Sequence, residues 1–142
     1  MNEKFYELPP EKQQRIINAG LEVFGAHDYP QASTDDMTAK AEISKGLLFY
    51  YFKNKKEFYL FLFDYCCEFF RSQVVTEDFI KITDFFDLME YAARIKYSII
   101  LQYPYMMNFV MKAYYSRREE VSEAMKTRIA STLGEIYTVY FK

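Results

Sequence analysis

The chain is poor in residues that make tight turns or bind metals. Of its 142 residues, 4 are Gly, 4 are Pro, 2 are Cys and 1 is His. With few turn-formers and apolar residues recurring at helical spacing, helices are expected rather than a sheet. The single histidine, His27, falls in a predicted loop and reads as a surface residue sooner than a catalyst. One His beside two adjacent cysteines cannot supply a tetrahedral zinc site, and there is no Gly-rich phosphate loop. Catalysis is therefore the weakest of the functional classes, and no cofactor is implied. Cys66 and Cys67 are neighbours. On a helix they point about 100° apart, so a disulfide between them would be strained. They read as small, mostly buried thiols in a reducing cytosol. The N-terminus shows no apolar signal region, and every apolar stretch is interrupted well short of about 18 residues. The expectation is a soluble, cytoplasmic protein with no membrane partner.

An excess of positive charge is also missing. The net charge is −2, so any nucleic-acid site must be a local patch. Residues 40–56 provide one. Five lysines (40, 45, 53, 55 and 56) oppose Glu42, a local charge of +4 that leaves −6 on the remainder of a chain totalling −2. A solvated basic helix end would look the same.

What the chain has in quantity is aromatic: 14 Tyr and 14 Phe, set in a composition that is 51% hydrophobic and 27% charged. That is enough for one or two small domains with a real core. A first helix should start near Pro10, with Glu11 at the positive end of its dipole, and should bury Ile16, Ile17, Gly20, Leu21, Val23 and Phe24. A second short helix follows Ser33 or Thr34, either of which can cap it, with Met37 and Ala41 facing inward. Glu42-Ile43-Ser44 is short enough only for a tight turn. Ser44 can cap a third helix from Lys45 to about Phe52, and Asn54 a long, aromatic fourth helix beginning at Lys55. That helix is apolar around most of its circumference and should be buried on several sides. A linker is expected around Thr76-Glu77-Asp78, and further helices over roughly 83–102, 104–116 and 118–141, the last two separated at Ser116-Arg117-Arg118.

Two short helices joined by a tight turn make a helix-turn-helix, whose second helix can enter the major groove by its amino end. Ser44, Lys45 and Gly46 bring a helix dipole, a cation and a residue without a side chain to that end. The residues here carry a resemblance. Ser44-Lys45-Gly46-Leu47-Leu48-Phe49-Tyr50-Tyr51-Phe52-Lys53-Asn54-Lys55 resembles the recognition helix of the TetR family of repressors, whose pattern is approximately S-K-G-x-L-Y-x-Y-F-x-N-K. Residues 33–41 are similar to the family's second helix and residues 15–24 to its first, so the match covers roughly 12–60.

The resemblance implies an all-α protein: a three-helix DNA-binding domain over residues 1–55, then a helical effector-binding and dimerisation domain over 56–142 without the family's last two helices. It implies double-stranded operator DNA as partner, a homodimer, and a small apolar or cationic effector. It places base contacts on Lys45, Gly46 and Leu47, and phosphate contacts on Thr34, Ser44, Tyr50 and Lys55. Two departures stand out. Phe49 replaces a Tyr, which removes a hydroxyl. Glu42 replaces the turn's usual Gly, where positive φ is common and a non-Gly residue is strained by roughly 1 kcal/mol. Leu48, Tyr51 and Phe52 read as core, and Lys53 and Lys56 as solvated charges.

The second half is less specific. Its Tyr and Met side chains read first as filling for a core or a subunit interface. The sharper reading is an aromatic ligand pocket involving Tyr91, Tyr97, Met107, Met111 and Tyr114. Glu90 could face a cationic ligand, but pairing with Arg94 one turn on is preferred. The rival to a DNA-binding regulator is a helical interaction module of the same fold without specific DNA binding.

Overall fold

The computed structural model describes residues 3–74, 76–115 and 119–140. Nine helices run through them: α1 (Glu3–Tyr6), α2 (Pro10–Ala26), α3 (Thr34–Ala41), α4 (Lys45–Phe52), α5 (Lys55–Val74), α6 (Glu77–Ile80), α7 (Phe85–Gln102), α8 (Met106–Tyr115) and α9 (Glu119–Tyr140). No strand occurs among the described residues. The all-α expectation holds. The proposed break at Ser116-Arg117-Arg118 lies outside the described residues.

Local chemistry sets most of the boundaries. Pro10 opens α2, where its missing N–H has no intrahelical partner to lose. Ser33 caps α3 by accepting the Asp36 N–H at 3.2 Å, and Ser44 caps α4 through the Leu47 N–H at 3.1 Å. Asn54 Oδ1 accepts the Glu57 N–H at 2.9 Å at the start of α5. The expected linker at Thr76-Glu77-Asp78 is instead the start of α6. Thr76 Oγ1 accepts the Phe79 N–H at 3.3 Å, one more side-chain cap at the head of a helical turn.

The core is continuous. Ile16, Leu21 and Phe24 of α2, Met37 and Ala41 of α3, Leu48 and Phe52 of α4, and Phe58, Leu62 and Cys66 of α5 are all buried. They share one cluster with Met106 and Phe109 of α8 and Val121 and Met125 of α9. α2 and α5 cross at Gly20, where a Cβ would lie 2.6 Å from Leu62 Cδ1 and 2.7 Å from Phe58 Cζ. Only a residue with no side chain permits that approach.

Aromatic rings fill much of the interior. Phe52 sits 4.5 Å from Phe58 and 4.7 Å from Phe61, centroid to centroid, and Phe24 sits edge-on to Tyr59 at 4.9 Å. Such pairs each add about 0.5–1.5 kcal/mol to the area they bury. The sequence did not point to α1. Its Phe5 is wholly buried against Phe52 at 5.1 Å and Phe61 at 5.2 Å, which pins the N-terminal segment onto α4 and α5.

Candidate nucleic-acid interface

α3 and α4 are joined by the turn Glu42-Ile43-Ser44. Glu42 takes φ 54°, ψ 46°, the left-handed conformation expected at this position, and its N–H closes onto the end of α3. Ile43 N–H bonds Thr38 O at 3.1 Å. Arg15 of α2 holds the turn from below. Its Nε donates to Ala41 O at 2.8 Å, and its guanidinium lies 3.9 Å from the Glu42 carboxylate. An exposed pair of that length contributes little. The hydrogen bond to a terminal carbonyl is the firmer link, since it satisfies an orphan acceptor of α3.

This turn leaves the amino end of α4 open to solvent. Ser44, Lys45 and Gly46 are not buried, and a Cβ built on Gly46 meets nothing within 4 Å. Leu47 is half-buried. Leu48 and Phe52 turn inward at 1% exposure each and half-buried Tyr51 packs on the same core, as their helical spacing predicts. One side of α4 is thus spent on the core, and the start of its first turn, at the positive end of the helix dipole, is exposed.

The candidate phosphate-binding residues surround that end unevenly. Thr34 opens α3 and is half-buried, while Ser44 uses its hydroxyl as the cap of α4. Tyr50 is 58% exposed, and its hydroxyl accepts from Lys4 Nζ at 2.6 Å. That bond holds the Lys4 ammonium pKa above its ordinary value. Lys55 is half-buried. Its ammonium sits 4.8 Å above the Tyr29 ring and donates to Pro30 O at 3.3 Å. Lys53 and Lys56 are exposed. Lys45, the candidate base reader, reaches across the turn to Asp35 Oδ1 at 2.9 Å. Lys4 and Arg15 were not singled out from the sequence. Lys4 and Arg15 act on residues far along the chain, and a run of neighbours carries no sign of that.

The five candidate effector residues lie on two helices, Tyr91 and Tyr97 on α7 and Met107, Met111 and Tyr114 on α8. Tyr91 of α7 is half-buried, with its ring against Phe79 of α6 and its hydroxyl bonded to Thr76 and to Gln73 O. It lines a hollow of about 390 Å³ with Asp78, Ile82, Asp87, Glu90, Arg94 and Ile95. Tyr97, Met111 and Tyr114 are at least half exposed, and Met107 is half-buried. Glu90 pairs with Arg94, which holds its carboxyl below the usual range, as their spacing of one turn predicts. Among the described residues, no group of three or more His, Cys, Asp or Glu side chains could hold a metal ion. No helix in them is long and apolar enough to cross a membrane.

A helix-turn-helix with its second helix presented amino end outward, on a body of longer helices, defines the class: an all-α protein with a helix-turn-helix head. Comparison with known proteins agrees. Residues 16–61 match the model of the bacterial regulatory proteins of the tetR family. Over 47 residues, 33% of this chain and 35% of the relative, the sequence is 43% identical to the HTH-type transcriptional regulator TtgW of Pseudomonas putida. The fold is similar to that of a TetR family transcriptional regulator from Chloroflexus aurantiacus, with a TM-score of 0.61 and 29% identity, covering 87% of this chain and 57% of that one. Residues 16–61 are therefore similar to the DNA-binding domain of the tetR family, and the helices as a whole are similar in arrangement to that solved regulator. The chain spans about a third of the length of the curated relative it matches and little more than half of the solved one.

Proposed function

We propose that this protein is a TetR-like transcriptional regulator, a repressor that binds a palindromic operator as a homodimer and leaves it when a small effector binds. The observation that carries the reading is the open first turn of α4. Ser44, Lys45 and Gly46 stand clear of the core at the one end of the helix-turn-helix where a duplex can be approached. Lys45 and Leu47 are suited to guanine O6/N7 and a thymine methyl, and Gly46 to close backbone approach. Thr34, Ser44, Tyr50 and Lys55 supply the donors that phosphate oxygens accept. The second half would take an apolar or cationic effector, a reading supported by the Tyr and Met side chains of α7 and α8. The rival reading, a helical module without specific DNA binding, draws on the Asp35–Lys45 pair, which occupies the base-reading ammonium in the free protein.

Selection of bound DNA from a random duplex pool tests the proposal. The expected result is an enriched motif with two inverted half-sites, one helical turn (about 34–36 Å) or a multiple of it apart. Recovery of an unenriched pool, with no affinity above that for mixed duplex at moderate salt, would replace this reading with the rival.

A further inference from the structure

We infer that Lys4 and Tyr50 together form a phosphate clamp on the flank of the recognition helix, and that Lys4 thereby adds a DNA-backbone contact from outside the helix-turn-helix. The inference rests on the DNA-binding function proposed above. α1 precedes the segment matched to the family, residues 16–61. Yet α1 is firmly seated. Phe5 is wholly buried, with rings of Tyr51, Phe52 and Phe61 around it at 6.0, 5.1 and 5.2 Å. Lys4, its neighbour, is exposed and therefore held at a defined place on the surface. Its ammonium lies 4.8 Å from the centroid of the Tyr50 ring and donates to the Tyr50 hydroxyl.

The direction of that hydrogen bond matters. Lysine has donors only, so the phenol oxygen accepts and its own proton stays free to be donated outward. A phosphate oxygen taking that proton would complete a chain from ammonium to phenol to phosphate. Each link in such a chain polarises the next and strengthens it. Taking about 2.7 Å for an O–H to anion bond, the phosphate would also lie about 5 Å from the ammonium, inside a Debye length at physiological salt. Lys4 is flanked by Glu3 and Glu7, both exposed, so α1 carries no net positive patch. Its aim, set by Phe5 and Tyr50, is what distinguishes this lysine.

The experiment measures affinity for the duplex selected above, and for a scrambled duplex, across a range of salt concentrations. It compares wild type with Lys4→Met, Tyr50→Phe and the double variant. Both side chains are exposed, so the variants should melt with the wild type. Lys4→Met is expected to shallow the slope of log K against log[salt] by about 0.9, the value of one phosphate contact, and to weaken both duplexes roughly three- to tenfold at about 0.1 M salt. Tyr50→Phe should weaken both duplexes as well, and the double variant should lose less than the product of the two single losses, because they share one phosphate. An unchanged slope in Lys4→Met, with wild type binding normally, overturns the clamp and leaves the proposed function standing. Wild-type protein with no duplex affinity at all overturns both.

Discussion

The Asp35 carboxylate holds the Lys45 ammonium at 2.9 Å, tying the first turn of α3 to the first turn of α4. Both side chains are at least half exposed, so the pair is worth no more than about 1 kcal/mol. A duplex can displace it at small cost. Asp35→Asn should lower the melting temperature by a few degrees at most, since it removes the pair and a first-turn carboxylate of α3, and on the proposed function should tighten binding to all duplexes alike. Lys45→Ala should flatten the ranking of operator variants, whereas Lys55→Ala should weaken every duplex equally. Titration of a small panel of single-base operator variants separates these outcomes. An unchanged ranking with Lys45→Ala would remove this lysine from base readout.

Glu42 occupies a left-handed conformation, φ 54°, that glycine adopts without strain. Its ion pair with Arg15 is long and exposed, at 3.9 Å. Glu42→Gly should therefore stabilise the fold, by about 1 kcal/mol or somewhat less, as strain relief outweighs the lost pair and the added backbone entropy. Chemical denaturation would show a higher midpoint at unchanged m-value. A lower midpoint would mean that the Arg15 contact outweighs the strain.

At Gly20 the balance runs the other way. Alanine gains about 1 kcal/mol of helix propensity, but its Cβ would fall 2.6–2.8 Å from atoms of Leu62 and Phe58, both essentially unexposed. Overpacking of this kind costs typically about 1–3 kcal/mol. Gly20→Ala should destabilise by about 1 kcal/mol and Gly20→Val by more. Equal midpoints for wild type and Gly20→Ala would show that α2 and α5 can separate freely at the crossing.

Alkaline pH should loosen the core. Burial pushes the Tyr59 phenol up to about 12 from an unfolded value near 10, and pushes the Cys66 thiol up as well. Both groups stay protonated when folded while the unfolded chain loses their protons. Their contribution is thus intact below the unfolded values, and for Tyr59 it is lost between about pH 10 and 12. Tyr59→Phe should flatten the fall in stability above about pH 10. Cys66 should also resist alkylation at about pH 8 in the native protein and react only on unfolding, as thiol labelling with and without denaturant would show.

The elements legible in the sequence are those set by neighbours in the chain. Ser33, Ser44 and Asn54 cap the helices they precede, and inward-facing Leu48 and Phe52 follow from a helical period of about 3.6 residues. The positive φ of Glu42 followed from the family's glycine at that place. Contacts between distant residues were not legible. Lys4 meets Tyr50 of α4 across 46 positions of the chain, and the four residues of α1 are too few to show a periodicity. Lys53 takes φ 65°, ψ −52°, with the Asn54 N–H folded back to Phe52 O in a γ-turn. Lysine has no preference for that shape, and closure between α4 and α5 imposes it. The effector residues were chosen for their chemistry alone. Chemistry does not say which side of a helix will be covered, and Tyr97, Met111 and Tyr114 lie at the surface.

Phe24 stacks on Tyr29 and also touches Phe58, Tyr59 and Phe109, so a single side chain of α2 is shared by the helix-turn-helix head, the long helix behind it and α8. The interior of the head is therefore continuous with that of the body. Excised at residue 55, it would leave the Phe24 ring facing water where Phe58, Tyr59 and Phe109 had been. Head and body should accordingly melt as one, and a disturbance that shifts α8 has an apolar route through Phe109 and Phe24 into α2.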